Sequence, residues 1–200
     1  MNYTYQTISK PVEDITFKDK GSKFIGFGFP VNDEEEVKVK LQELRERYSD
    51  ATHHCYAYRL GIDGENYRAN DDGEPSGSAG LPIYNQIVSK EITNILIVSV
   101  RYYGGTKLGV SGLIKAYKMS AQLVLGEVKV IKRHLQEKVQ FDFGYEDQGA
   151  VMRNIDKFNA EVISTEFTDS CSVIVRVRKD DLNNFLSVFE PLYNVYISML

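Results

Sequence analysis

The chain has 200 residues, 42% of them hydrophobic and 26% charged, which is enough to bury a core as one large domain or two small ones. Basic residues number 24 against 28 acidic ones, and a net charge of −4 excludes a chain-wide electrostatic grip on nucleic acid. The opening MNYTYQTISK lacks the basic start and apolar block of a secretory signal, and Thr93, Asn94 and Ser99 interrupt the longest apolar run, so no membrane contact and a cytoplasmic location are expected.

Charge is unevenly distributed. Residues 1–135 hold 18 basic and 17 acidic side chains, whereas residues 136–200 hold 6 and 11. Any approach to a phosphate backbone is therefore expected from the first part. Cys55 and Cys171 lie far apart and read as free thiols of a reducing compartment. No Cys-x-x-Cys or His-x-x-x-His spacing marks a metal site, and no cofactor is expected.

In chain order, Ile15–Phe17 and Phe24–Val31 read as a hairpin turning at Lys20-Gly21-Ser22. Asn32 or Asp33 caps a helix whose stripe is Val37, Leu41, Leu44 and Tyr48, with Glu34–Lys38, Glu36–Lys40 and Glu43–Arg47 pairs on its wet side. His53–Leu60 is a strand carrying His54, Tyr56, Tyr58 and Leu60 on one face, and Tyr67–Ala69 pairs with it across Gly61–Gly64. A helix is expected around Ile83–Val88, then a central strand at Ile92–Val100. A long helix follows, marked by Val110, Leu113, Ile114, Tyr117, Ala121 and Val124.

The last third alternates more cleanly. Glu137–Phe143 is a strand, and Tyr145–Phe158 is a helix packing Val151, Ile155 and Phe158. Glu161–Phe167 and Cys171–Val177 are strands joined at Thr168-Asp169-Ser170. A helix with Leu182, Phe185, Leu186 and Phe189 opens at Asp180 and Asp181 and stops at Pro191, before a closing strand at Tyr193–Met199. The order βαββαβ is that of a split ferredoxin-like unit. The fold class is α+β, in two domains at 1–135 and 136–200.

Three segments hold polar residues that packing does not explain. In Thr52–Arg59, His53 and His54 flank Cys55; adjacent strand residues face opposite ways, so His54 and Cys55 do not meet, and Cys55 reads as core. In Asp71–Gly80, the carboxylates Asp71, Asp72 and Glu74 order the loop against Arg59, Arg68 or Arg101, or hold a ligand or a cation. Ser76 or Ser78 there caps the next helix, leaving its amides free for an anion. In Arg101–Gly112, Gly104 and Gly105 lie between Arg101 and Lys107, and Lys115 and Lys118 follow on the helix. This spacing is neither a Walker loop nor a dinucleotide fingerprint, and it fits a tight turn or a backbone approach to phosphate. Tyr102 and Tyr103 are candidates to stack on unpaired bases. No residue is assigned as catalytic.

ATHHCYAYRLG at 51–61, DDGEPSGSAGLPI at 71–83 and TNILIVSVRYYGGTKLGVSGLIKAY at 93–117 closely resemble the IMPACT/YigZ family signature, and KGSKFIGFGFPV at 20–31 resembles its opening. Ser78 stands where Thr is usual, and Leu81 where Arg is common. The resemblance implies a first domain similar to domain IV of elongation factor G and a small-subunit ribosomal protein, followed by a ferredoxin-like domain. It implies RNA or ribosome contact in translation or its regulation, without catalysis, or a protein partner in translation control as in eukaryotic relatives. The expected surface is Arg59, Arg68, Arg101, Lys107 and Lys115, with an enzyme acting on a small phosphorylated or nucleotide-like substrate as the alternative.

Overall fold

Side chains alternate across a strand, so a strand apolar at every position needs cover on both faces. Ile95–Tyr102 is such a strand, buried along nearly its whole length. The computed structural model describes residues 3–200, and the chain divides into two units, residues 5–133 and residues 134–200 with Tyr3 and Thr4.

In the first unit, β1 (Thr4–Ile8), β2 (Val12–Asp19) and β3 (Ser22–Pro30) precede α1 (Glu34–Arg47). Next come β4 (His53–Leu60), β5 (Asn66–Asn70), α2 (Gly80–Ser89), β6 (Ile95–Tyr102), α3 (Gly109–Glu127) and β7 (Val130–His134). Five strands form one sheet in the order β2-β3-β6-β4-β5, with every neighbour antiparallel. The central place expected for the Ile92–Val100 segment is thus taken by β6. β1 and β7 pair in a separate ribbon. Neither strand is expected from the sequence, because TYQTI and VIKRH have no clear two-residue alternation.

Each sheet face has its own cover. Ile25, Phe27, Phe29, Tyr56, Tyr58, Leu96 and Val98 pack with Val37, Leu41 and Leu44 of α1. Phe24, Cys55, Ala57, Ile95 and Ile97 pack with Ile83 and Ile87 of α2 and with Leu113, Tyr117 and Ala121 of α3. β3 presents Gly26 and Gly28 to α3, and a Cβ at Gly26 would lie 2.5 Å from Val124 Cγ2. The helix therefore approaches more closely than any side chain there would allow.

Local chemistry explains most element ends. The hairpin between β2 and β3 has positive φ at Lys20 (44°) and Gly21 (83°), the pair of left-handed residues that matches strand twist. Asp33 accepts the Glu36 amide at 2.9 Å, and Glu36 returns to the Asn32 amide at 2.8 Å. The expected (i, i+4) pairs on α1 give way to other contacts. Glu36 is held by the cap, Lys38 and Lys40 pair with Glu35 and Glu43, and Arg47 reaches Glu13 and Asp14 of β2.

The second unit contains β8 (Gln136–Phe143), a short turn of helix at Tyr145–Asp147, α4 (Gln148–Lys157) and β9 (Glu161–Phe167). β10 (Cys171–Arg178), α5 (Leu182–Ser187) and β11 (Tyr196–Met199) complete it. The sheet order is β11-β8-β10-β9, antiparallel throughout. Val139, Phe141, Val173 and Val175 pack against Val151, Ile155, Phe185 and Phe189. Two boundaries differ from expectation. α5 ends at Ser187, before Phe189, and the last strand starts at Tyr196 instead of Tyr193. β9 is an edge strand exposed at all seven positions. Both cysteines are free and buried. Among the described residues no helix is long and apolar enough to cross a membrane.

Gly26→Ala should destabilise the protein by about 1–3 kcal/mol through overpacking against Val124. Urea denaturation reads this as a lower midpoint at unchanged slope, and an unchanged midpoint would mean that α3 yields without cost.

Candidate functional site

The strand register gathers polar side chains at one end of the α2/α3 face. His53 and Phe24 both lie opposite Arg101, and Cys55 lies opposite Ser99. Arg101 is 4% exposed despite its charge. Its partner is Glu74, whose side chain is 5% exposed and whose Oε1 accepts from Arg101 Nη1 at 2.5 Å. Tyr117 of α3 donates its hydroxyl to the same oxygen at 2.7 Å. His53 Nε2 is 3.8 Å away. Arg101 Nη2 donates to Ser22 Oγ at 3.2 Å, and the guanidinium lies 5.6 Å from the ring centroids of both Phe24 and Tyr103.

The loop at 71–80 is folded so that Glu74 points inward. Asp71 accepts the amides of Gly77 (2.8 Å), Ala79 (2.9 Å) and Gly80 (2.9 Å), which makes it the cap of α2 from eight residues upstream. The expected capping by Ser76 or Ser78 does not occur: Ser78 donates to the Pro75 carbonyl, and Ser76 lies exposed in the loop. The Ala79 and Gly80 amides are therefore not free for an outside anion. Asp72 accepts the His54 amide at 2.6 Å, and His53 Nδ1 lies 2.7 Å from the Asp72 carbonyl. Among the described residues no group of three His, Cys, Asp or Glu is arranged to hold a metal ion.

Cys55 Sγ lies 3.0 Å from the Asp71 carbonyl and 3.3 Å from Tyr117 Oη. Burial raises both the Cys55 and the Tyr117 pKa well above their ordinary values, so the thiol stays protonated and is no nucleophile. The site's buried groups are a paired ion couple with hydrogen-bonded neighbours. Breaking such a pair leaves a lone buried charge.

A cleft of about 250 Å³ opens beside the pair, lined by Glu74, Pro75, Arg101, Tyr103, Lys107, Leu108, Gly109, Val110 and Leu113. Leu108 stands at the N-cap of α3 and gives it no side-chain hydrogen bond, and the first turn has no acidic residue. Gly104 is explained by packing: a Cβ there would come within 1.9 Å of the Gly21 backbone. Gly105 has φ 83° and faces open space, and its carbonyl accepts the Tyr103 hydroxyl at 2.7 Å.

His53, Asp71, Glu74, Arg101, Tyr103, Gly104 and Lys107 thus belong to one region of the α2/α3 side, whereas the Asp72 carboxylate turns toward His54 and Arg45 of α1. Of all the candidates only Glu74, Arg101, Tyr103 and Lys107 line the cleft itself. Arg59 donates to the Ile92 and Asp63 carbonyls at 3.1 and 3.0 Å and braces the turn after β4. Arg68 is exposed on the edge strand β5. Tyr102 faces the α1 side and donates to Asp50 at 2.6 Å. Lys115 is exposed on α3. Arg101 itself does not fit the expected exposed surface, because Glu74 holds it inside. His54 lies on the opposite sheet face, as strand alternation requires. Sequence reasoning missed Tyr117, which reads as one more apolar position of α3. Its signal is that a fully buried tyrosine needs a partner for its hydroxyl.

This is a two-unit α+β protein whose first unit is organised around a buried Glu–Arg–Tyr cluster. Residues 20–125 match the Impact N-terminal domain, and every member of the cluster falls inside the match. The chain belongs to the IMPACT family. It is 29% identical over 194 residues to the IMPACT family member YvyE of Bacillus subtilis (strain 168), covering 97% of this chain and 89% of that protein. It is 40% identical over 100 residues to the IMPACT family member YigZ of Escherichia coli (strain K12), covering 49% of each. A crystal structure described as that of a hypothetical protein has the same fold, with a TM-score of 0.77 at 24% identity, over 100% of this chain and 98% of the other.

Arg101→Ala should cost roughly 3–5 kcal/mol of stability. Glu74→Gln with Arg101→Met should cost less than the two single changes together, and strict additivity in urea unfolding would rule out the coupling.

Burial lowers the His54 pKa below 6.5, with the Asp72 carboxylate opposing the shift. The unfolded chain then binds a proton that the folded chain does not. The stabilisation is complete above the unfolded value and is lost as pH falls below it. The urea midpoint should drop as pH falls below the ordinary histidine value, and His54→Gln should flatten that drop. An identical pH profile for the variant would remove His54 as the cause.

Proposed function

We propose that this protein is a cytoplasmic, non-enzymatic RNA- or ribosome-contacting member of the family, with a role in translation or its regulation. One observation carries the reading. The carboxylates of the 71–74 segment are turned inward or held by amides, while the segment 103–126 has no acidic residue at all. Lys107, Lys115 and Lys118 are exposed and have no ion pair among the described residues. An overall acidic chain thus carries a local cationic strip, which suits phosphate contact.

Fold analogy supports the same reading. The sheet order β11-β8-β10-β9, with both helices on one face, is what a ferredoxin-like βαββαβ domain requires, and we assign that domain to residues 136–200. Residues 1–135 are assigned to a domain resembling domain IV of elongation factor G. The pairing resembles domains IV and V of that factor, an associational link to the ribosome.

A second reading, an enzyme acting on a small phosphorylated or nucleotide-like substrate, is favoured by the 3.8 Å approach of His53 to Glu74 beside the cleft. It ranks lower because Glu74 Oε1 already accepts from Arg101 and Tyr117, and a carboxylate so occupied is a poor base.

RNA affinity should fall steeply with salt. Replacing Lys107, Lys115 and Lys118 with Ala should reduce the slope of log affinity against log salt by about 2 for single-stranded RNA. Absence of any association with RNA or ribosomes at low salt would sink the reading.

A further inference from the structure

We infer that the cleft beside α3 is a subsite for one nucleotide, with its base against Tyr103 and its phosphate between Lys107 and the first turn of α3. The inference rests on the RNA-contact reading and deepens it at one site.

The ring is preset for stacking. Tyr103 is 47% exposed and lines the cleft, its hydroxyl is tied to the Gly105 carbonyl, and the Arg101 guanidinium stands 5.6 Å from the ring centroid. A ring held at its hydroxyl and flanked by a cation stacks a base at little entropic cost. Leu108 and Val110 give the cleft the apolar walls that a base needs, and about 250 Å³ suits a single ring system better than a drug-sized ligand.

Lys107 and the start of α3 point to an anionic oxygen in the cleft, and Arg101 adds a buried cation behind it. Lys107 lines the cleft without an ion pair among the described residues, next to the uncapped first turn of the 19-residue α3. Arg101, 96% buried and also lining the cleft, has both terminal nitrogens engaged and its Nε without any partner. A buried donor left unmatched by the protein is the mark of a missing acceptor. That Nε is closed to solvent, so an oxygen of the ligand reaches it only where the Glu74–Arg101 pair shifts on binding.

The test uses the full chain and three probes: adenosine monophosphate, a short single-stranded oligoadenylate carrying a fluorescent purine, and a duplex RNA. Tyr103→Ala, whose fold is checked by its urea midpoint, should weaken the single strand roughly 5- to 100-fold and abolish quenching of the fluorescent base. Tyr103→Phe, which keeps the ring but loses its tie to the Gly105 carbonyl, should bind between the parent and Tyr103→Ala, and the duplex should not distinguish the variants. If the monophosphate alone binds, with the same dependence on Tyr103, the subsite stands and the RNA reading falls. If the single strand binds Tyr103→Ala as well as the parent, the subsite falls and the RNA reading stands. If no probe binds, both fall.

Discussion

A carboxylate removed from water must be met by a cation and by hydrogen-bond donors, and Glu74 is almost wholly removed from water. Much of the first unit is arranged to satisfy that demand. Arg101 comes from the centre of the sheet, Tyr117 from the long helix, and Ser22 from the start of β3. Asp71 winds the loop so that Glu74 arrives at the right place, and the same carboxylate caps α2. One ionic contact therefore ties a loop, two strands and a helix together, and misplacing any of them would leave a buried charge exposed to no partner.

This arrangement also decides the sign of the outer surface. The acidic residues of the 71–74 segment would, if they faced solvent, oppose the lysines that follow on α3. Because they are consumed internally, the loop after β6 and the first half of α3 remain cationic in a chain whose total charge is negative. Local field, set by which side chains are buried, matters more here than net composition.

Much of the architecture was legible because periodicity was strong. Val37, Leu41 and Leu44 recur at helical spacing, and Val139, Phe141 and Phe143 alternate along β8, so those elements followed directly. β1 and β7 carried no such pattern. The chain ends also misled: Phe189 belongs to the core, but it sits in a turn after α5 and not on the helix. The three polar segments were visible as residues that packing left unexplained. Which arginine would meet Glu74 was not visible, since Arg59, Arg68 and Arg101 were equal on charge. The register resolves it: Arg59 shares the α2/α3 face but pairs opposite Ile95 at the far end of β6, whereas Arg101 stands at the end where Glu74 arrives. Gly104 was ambiguous for a different reason, because the backbone it approaches, Gly21, is over eighty residues away in sequence.

The edge strand β9 carries a last consequence. Its seven residues include Val162, Ile163 and Phe167, all exposed, along a ladder that pairs with β10 on one side. An open apolar edge of this kind invites another chain to extend the sheet. Glu161 and Glu166 stand near its two ends, and the ladder slips at Ile174/Val175, which bends the strand away from a flat template. Glu166 and this irregularity thus oppose such pairing at the place where the sheet stops, while the Glu161 charge is met by Arg176.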